Sequence, residues 1–288
     1  MGAYLRPARI EEALAALGQS RHLVLAGGTD IYPTEANAAG WGQPSLTRDD
    51  RPNILDITSV NGLNQITVFA DRVEIGARVT WTQAIQSELG QWFDGVRLAA
   101  REVGGRQIQN RGTLVGNLCN ASPAADGVPA LMALDAKVRL DSASAQRELS
   151  LGDFILGNRK TALAEHELVS AIIIPMPASH ARSTFLKLGA RRYLVISIAM
   201  VAVTAVIVDK IIDSIAIAIG ACSAVAQRLP LLEQRLKGCG VSQAERCISD
   251  ADFHALQPID DIRGSGEYRR HAAKVLVRRA VAQLDENA

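Results

Sequence analysis

Apolar positions follow two rhythms along this chain, one helical and one alternating. From Ala8 to Leu17 they recur at helical spacing and stop at Gly18, which predicts a helix closed by a glycine. His22–Ala26 and Asn53–Ile57 are short apolar runs that predict strands, and Ala36–Pro52 between them has the turn residues of a loop. Gln65–Phe69 and Arg72–Gly76 flank Ala70-Asp71 and predict a hairpin. Thr80 is a suitable cap for a helix over Trp81–Leu89, and a second helix over Phe93–Val103 ends at Gly104-Gly105. A helix over Gly127–Leu134, a strand over Lys137–Leu140 and a β-branched strand over Leu168–Ile174 follow. The last stops at Pro175-x-Pro177, the best domain boundary in the chain.

Beyond that boundary the pattern predicts a strand at Thr184–Leu188. Two rich apolar runs then surround Asp209-Lys210. The first, Leu194–Val208, falls short of the ~20 residues a membrane span needs. The pair therefore predicts a buried β-hairpin. Helices are expected at Leu229–Leu236, Gln243–Leu256 and Glu267–Leu284. The last carries an aliphatic stripe (Ala273, Leu276, Val277, Ala280, Leu284). Arg269, Arg270, Arg278 and Arg279 are expected on its solvated face, where they could also dock an acidic subunit.

Composition narrows the classes. The 288 residues allow two domains, and 48% hydrophobic with 21% charged content supports a packed core, mostly aliphatic because aromatics are 4%. With a net charge of +1 and no basic stripe interleaved with aromatics, nucleic acid is not an expected partner. MGAYLRPARIEEALAAL has no signal-peptide apolar stretch, and a soluble, cytoplasmic protein is expected. Cys119, Cys222, Cys239 and Cys247 form no C-x-x-C and have no histidine at ligand spacing, so no metal or iron–sulfur cradle is expected. The five histidines are scattered, and no catalytic residue stands out.

Two glycine segments carry the candidate chemistry, LAGGTDI (25–31) and RGTLVGNLCNASPAAD (111–126). Both are expected as strand-to-loop transitions with glycine at the bend, where successive backbone N–H groups can close around an anion. Thr29, Thr113, Asn117, Asn120 and Ser122 add short side chains for phosphate or sugar oxygens. Neither segment is G-x-G-x-x-G or a P-loop. Each could be only a capped turn, but two in one α/β region favour a ligand with a diphosphate.

These segments, with NILDIT, VEIGARVTWTQAI, NRGTLVGNLCNASPAADGVPALMALDA, KTAL, ELVSAIIIP, FLKLGAR and IAIGACS, occur in the order found in a known family. The chain resembles the FAD-binding (medium) subunit of the molybdenum hydroxylases, of carbon monoxide dehydrogenase and xanthine dehydrogenase type. The resemblance implies an α+β fold. It consists of a PCMH/vanillyl-alcohol-oxidase-type FAD-binding domain (1–177) of two α/β subdomains (roughly 1–57 and 58–177), then a small domain (178–288) of strands followed by helices. It implies FAD as cofactor and electron transfer from an iron–sulfur subunit to an external acceptor, beside a molybdenum subunit that oxidises the organic substrate.

The resemblance carries residues over one by one. Leu25, Ala26, Gly27, Gly28, Thr29, Asp30 and Ile31 match the family's first FAD loop. Thr113, Leu114, Val115, Gly116 and Asn117 match the second, where Val115 replaces a usual glycine. Asp126 matches an acidic position facing a cofactor hydroxyl, Leu168 or Val169 an apolar contact, and Lys187 a lysine near the isoalloxazine. On bare chemistry Asp126 could merely cap the helix at Gly127, Lys187 could be a solvated strand residue, and Leu168 and Val169 ordinary core. Leu194 stands where many relatives have aspartate. Two other functions fit the same residues: a self-sufficient flavin oxidoreductase, which would need its own catalytic base, and a non-redox nucleotide-binding module, which would hold no flavin.

Overall fold

The computed structural model describes residues 2–33, 52–178 and 180–286. Most of the segment expected as a loop, Ala36–Pro52, lies outside them.

Three of the four sheets among the described residues carry the fold and run in sequence order; the fourth is the small antiparallel pair β8 (Ile155–Gly157) and β9 (Lys160–Thr161). The first is parallel and three-stranded, with β1 (Tyr4–Leu5) and β2 (Leu23–Leu25) on either side of β3 (Ile54–Asp56). Helix α1 (Ile10–Gln19) joins β1 to β2 and buries Ala13, Leu14, Ala16 and Leu17, the face its periodicity marked. It runs through Gly18 to a cap at Ser20, so the glycine is an interior helix residue and not the closing one.

The second sheet is antiparallel, ordered β4 (Ile66–Val68), β5 (Arg72–Gly76), β10 (Leu168–Pro175), β6 (Lys137–Asp141) and β7 (Gln146–Ser150). Its centre is β10, which reads LVSAIIIP and is buried from Leu168 to Ile174 because helices cover one face and other strands flank it. Leu168 and Val169 are therefore core residues here. Helices α2 (Trp81–Gln86), α3 (Asp94–Glu102), α4 (Arg106–Gln109), α5 (Leu114–Asn120) and α6 (Gly127–Met132) lie between β5 and β6, and the short α7 (Leu151–Phe154) follows β7. Thr80 caps α2 as expected, in a reciprocal box with Gln83.

The third sheet pairs β11 (Ala181–Leu188), β12 (Ala199–Val208), β13 (Ile211–Gly220) and β14 (Gln227–Arg228), all antiparallel. Its long central hairpin is the one the apolar runs predict, except that Leu194–Ser197 stay outside the strand. Leu194 has φ +52° there, which no strand accommodates. Alternation sorts its residues by face. Met200, Ala202, Ala216 and Ala218 join the core shared with the second sheet, while Val201, Val203, Ile217 and Ile219 face the C-terminal helices.

Those helices are α8 (Pro230–Leu236), α9 (Val241–Cys247) and α10 (Gly266–Glu286). The single helix expected over Gln243–Leu256 is two pieces, α9 and a 3₁₀ turn at Asp250–Phe253, because Ser249 and Asp252 form their own capping box. The stripe on α10 is buried as expected. Its arginine face is not uniformly solvated: Arg269 is 3% exposed. No helix among the described residues is long and apolar enough to cross a membrane.

Candidate cofactor site

The segment after β2 turns sharply at Gly27 and Gly28. Gly28 sits at φ +72°, a conformation that side-chain-bearing residues adopt at a cost. At Gly27 the constraint is contact: a Cβ there would lie 2.0 Å from the Arg111 carbonyl oxygen. The two glycine segments thus meet backbone to backbone.

The second segment departs from its expected form. It enters from α4 and a turn rather than a strand, and Thr113 opens α5. The Thr113 hydroxyl accepts from the Gly116 N–H at 2.9 Å, a regular N-cap. Residues 112–114 are pinned alongside 79–81 by Trp81 N–H to the Gly112 carbonyl and Leu114 N–H to the Val79 carbonyl, both 3.1 Å. Because Val115 lies inside the first turn of α5, it has ordinary helical backbone, and replacing glycine there introduces no strain. The helix ends at Ala121, with φ +48°.

A cleft of about 470 Å³ opens between these segments. One wall is Ala26, Gly27, Gly28, Thr29, Asp30 and Ile31; the other is Thr113, Gly116, Asn117 and Asn120. Ten of the expected residues are thereby brought together. Asn120 Nδ2 donates to Asp30 at 3.1 Å and ties the walls to each other, while Arg159 donates to Asn120 Oδ1. Leu25 is buried behind the first wall, and the Leu114 and Val115 side chains lie in the core behind the second. Ser122 closes the following turn by accepting from the Ala124 N–H.

Val103, Ile108 and Trp81 also line the cleft, as does Cys119. The sequence reading passed over these because spacing marks them only as helix or turn residues. They supply the apolar area that an aromatic ring needs, beside a glycine rim suited to phosphate oxygens. Cationic side chains lie next door: Arg6, Arg78 and Arg111 line a smaller cleft of about 280 Å³ that shares Ala26, Gly27 and Thr113 with the first. The donors, the apolar floor and the bare glycine backbone fit a dinucleotide such as FAD.

Asp126 and Lys187 stand together outside the set of residues that line this cleft. Lys187 Nζ lies 2.8 Å from Asp126 Oδ2, with side chains only 5% and 9% exposed. The Ser197 hydroxyl donates to Asp126 Oδ1 at 2.8 Å. Burial lifts the Asp126 carboxyl above its ordinary range, and Lys187 and Ser197 pull against that rise. Asp126 forms no side-chain cap on α6; Asn117 Oδ1 accepts from the Gly127 N–H instead, at 3.3 Å. Both plain alternatives, a helix cap and a solvated lysine, are thereby removed. Ser197 is 71 positions from Asp126, and nothing in the sequence pattern announces it.

A parallel sheet ending in a glycine turn, with a capped helix facing it across a cleft, fits a dinucleotide-binding class of protein. Family models agree. Residues 1–177 match the FAD binding domain in molybdopterin dehydrogenase, and residues 184–284 the CO dehydrogenase flavoprotein C-terminal domain. The chain belongs to this family: it is an FAD-binding medium subunit of the molybdenum hydroxylases, a component of oxidoreductase complexes. It is 30% identical to the nicotine 6-hydroxylase medium subunit of Paenarthrobacter nicotinovorans, over 97% of this chain and 96% of the relative. It is 28% identical to the carbon monoxide dehydrogenase medium chain of Hydrogenophaga pseudoflava, over 96% and 95%. Its fold superimposes on a chain of reconstituted CO dehydrogenase from Oligotropha carboxidovorans with a TM-score of 0.86, at 26% identity over 100% and 99% of the two chains.

Proposed function

We propose that this chain is the electron-transfer subunit of a molybdenum-containing hydroxylase or dehydrogenase, taking electrons from an iron–sulfur subunit and passing them to an external acceptor. The observation that carries the reading is the pairing of a dinucleotide cleft with the buried Asp126–Lys187–Ser197 group. FAD, when bound, supplies the redox chemistry. The protein positions it and tunes it.

In this reading Gly27, Gly28, Thr29, Thr113, Gly116 and Asn117 meet the diphosphate with backbone N–H groups and short side chains. Leu25, Leu114 and Val115 set the shape of the walls from behind, while Ala26, Asp30, Ile31 and Asn120 complete the rim. Ser122 holds the turn that leads to Asp126. Leu168 and Val169 back the site from the central strand. Lys187 carries a positive charge that offsets negative charge on a reduced ring, and Asp126, itself held by Ser197, keeps that ammonium in place. No residue of this chain needs to move a substrate proton.

The division of labour has support from the relatives, whose names point to substrates as different as nicotine and carbon monoxide. A shared flavin subunit serves such a range when the organic substrate binds on another chain. The match of separate models to the two parts of the chain supports a division into 1–177 and 178–288, the first part split near residue 57 where the parallel sheet gives way to the antiparallel one. We place the complex in the cytoplasm. Purifying the protein from its source and assaying flavin, iron and molybdenum tests the whole reading. FAD, iron and molybdenum co-eluting with this chain are expected; an FAD-loaded chain that elutes free of iron and molybdenum would overturn the assembly.

A further inference from the structure

We propose that Arg269, on the C-terminal helix, is a positioning residue for the Asp126–Lys187 pair; this rests on the reading of that pair as a flavin contact. Arg269 makes no contact with either member. It holds both stretches of backbone that hold Asp126.

The guanidinium is buried. Its Nη1 donates to the Ile198 carbonyl at 2.7 Å and to the Ala221 carbonyl at 3.3 Å, and its Nη2 to Asp261 Oδ1 at 2.7 Å. Ile198 immediately follows Ser197, whose hydroxyl grips Asp126. The Ile198 N–H also donates to the Leu188 carbonyl at 2.7 Å, next to Lys187. Ala221, held at φ +61°, donates its N–H to the Pro123 carbonyl at 3.0 Å, in the turn that leads into Asp126. One guanidinium therefore holds the start of β12 and the end of β13 where they meet that turn, and the end of β11 is tied to them through Ile198.

Burying a guanidinium is costly unless its partners are fixed. Here Asp261 is itself locked, accepting from the Arg263 N–H at 2.8 Å and from Arg263 Nη1 at 2.7 Å. An apolar side chain would anchor α10 at least as well, as the stripe from Ala273 to Leu284 does. What the arginine adds is direction: two carbonyls on separate strand ends are held at one point. Lysine cannot reproduce that fork, because its ammonium is a point charge on a flexible stem.

A double-variant cycle on the full FAD-loaded chain tests this. Arg269→Met and Arg269→Lys are made alone and with Asp126→Asn, and the FAD dissociation constant, flavin midpoint potential and thermal midpoint are measured. Acting through Asp126, Arg269→Met is expected to weaken FAD binding about tenfold and to shift the potential, with both effects largely lost in the Asp126→Asn background. The drop in thermal midpoint should persist in both backgrounds. If Arg269→Met does not fold, the same cycle is read with Arg269→Lys, which keeps the charge and loses the fork. Flavin effects that add in the double variant, or a change in thermal midpoint alone, would overturn the proposal. Should Asp126→Asn and Lys187→Met each leave FAD affinity and potential unchanged, the flavin reading of the pair is itself wrong, whatever Arg269 does.

Discussion

Gly27→Ala adds a single methyl group at the point where the two glycine segments touch. That methyl would sit 2.0 Å from the Arg111 carbonyl oxygen, 2.7 Å from its carbon and 3.0 Å from Gly112 Cα. All three are backbone atoms, so no side chain can swing aside. To reach ordinary contact the segments must part by about 1.4 Å, a larger strain than most overpacked cores absorb, and we expect a loss of about 3 kcal/mol. The same separation widens the glycine rim, so FAD affinity should fall at least tenfold, on the order of 1.4 kcal/mol or more. Gly18→Ala is the control. Gly18 lies in α1 with nothing within 4 Å of its would-be Cβ, and helix propensity predicts a gain of up to about 0.5–1 kcal/mol. Urea unfolding followed by fluorescence of the buried Trp81 and Trp92 reads stability, and flavin titration reads affinity. Equal midpoints and equal FAD affinity for the two alanine variants would refute the close-approach argument.

Three further outcomes follow from the packing. Lys187→Met strips the buried Asp126 carboxylate of its cation and should cost about 3–5 kcal/mol near neutral pH. Because the folded-state carboxyl is raised, its contribution to stability is present below the unfolded value and lost as pH rises; the variant's deficit should therefore narrow in acid, as urea unfolding across pH would show. Glu74 behaves oppositely: hydrogen bonds from Arg139 hold its carboxyl down to about 2. The stability it adds is present above its ordinary 4.5 and lost as pH falls toward 2, so the gap between wild type and Glu74→Gln should close over that window. Burial pushes the Cys222 thiol up to about 12, and it should stay unlabelled by a thiol reagent at pH 8 until the chain unfolds, while the less buried Cys239 and Cys247 react.

Local pattern carried much of this architecture. The hairpin at Ile66–Gly76, the capped helix after Thr80, the central strand ending at Pro175 and the long β12–β13 hairpin all lie where periodicity and turn residues put them. Ten of the residues singled out in the two glycine segments line one cleft. What escaped was settled by tertiary contact. The second glycine segment reads as a strand-to-loop transition because glycine and asparagine break helices on average, yet Thr113 caps it and the contact with 79–81 orients it, so α5 forms. Arg269 looks like one of four surface arginines until the carbonyls of Ile198 and Ala221, at the ends of two strands, and the Asp261 carboxylate accept from it. Ser197 belongs to an apolar run, and its use depends on a carboxylate 71 residues earlier.

The most direct test of the cleft is a flavin titration of the full chain after removal of any bound cofactor, comparing FAD, FMN and riboflavin. One FAD per chain, with FMN and riboflavin bound at least a hundredfold more weakly, about 2.7 kcal/mol, is the predicted result for a site whose glycine rim holds a diphosphate. FMN binding as tightly as FAD, or a folded chain that takes up no flavin, would contradict it.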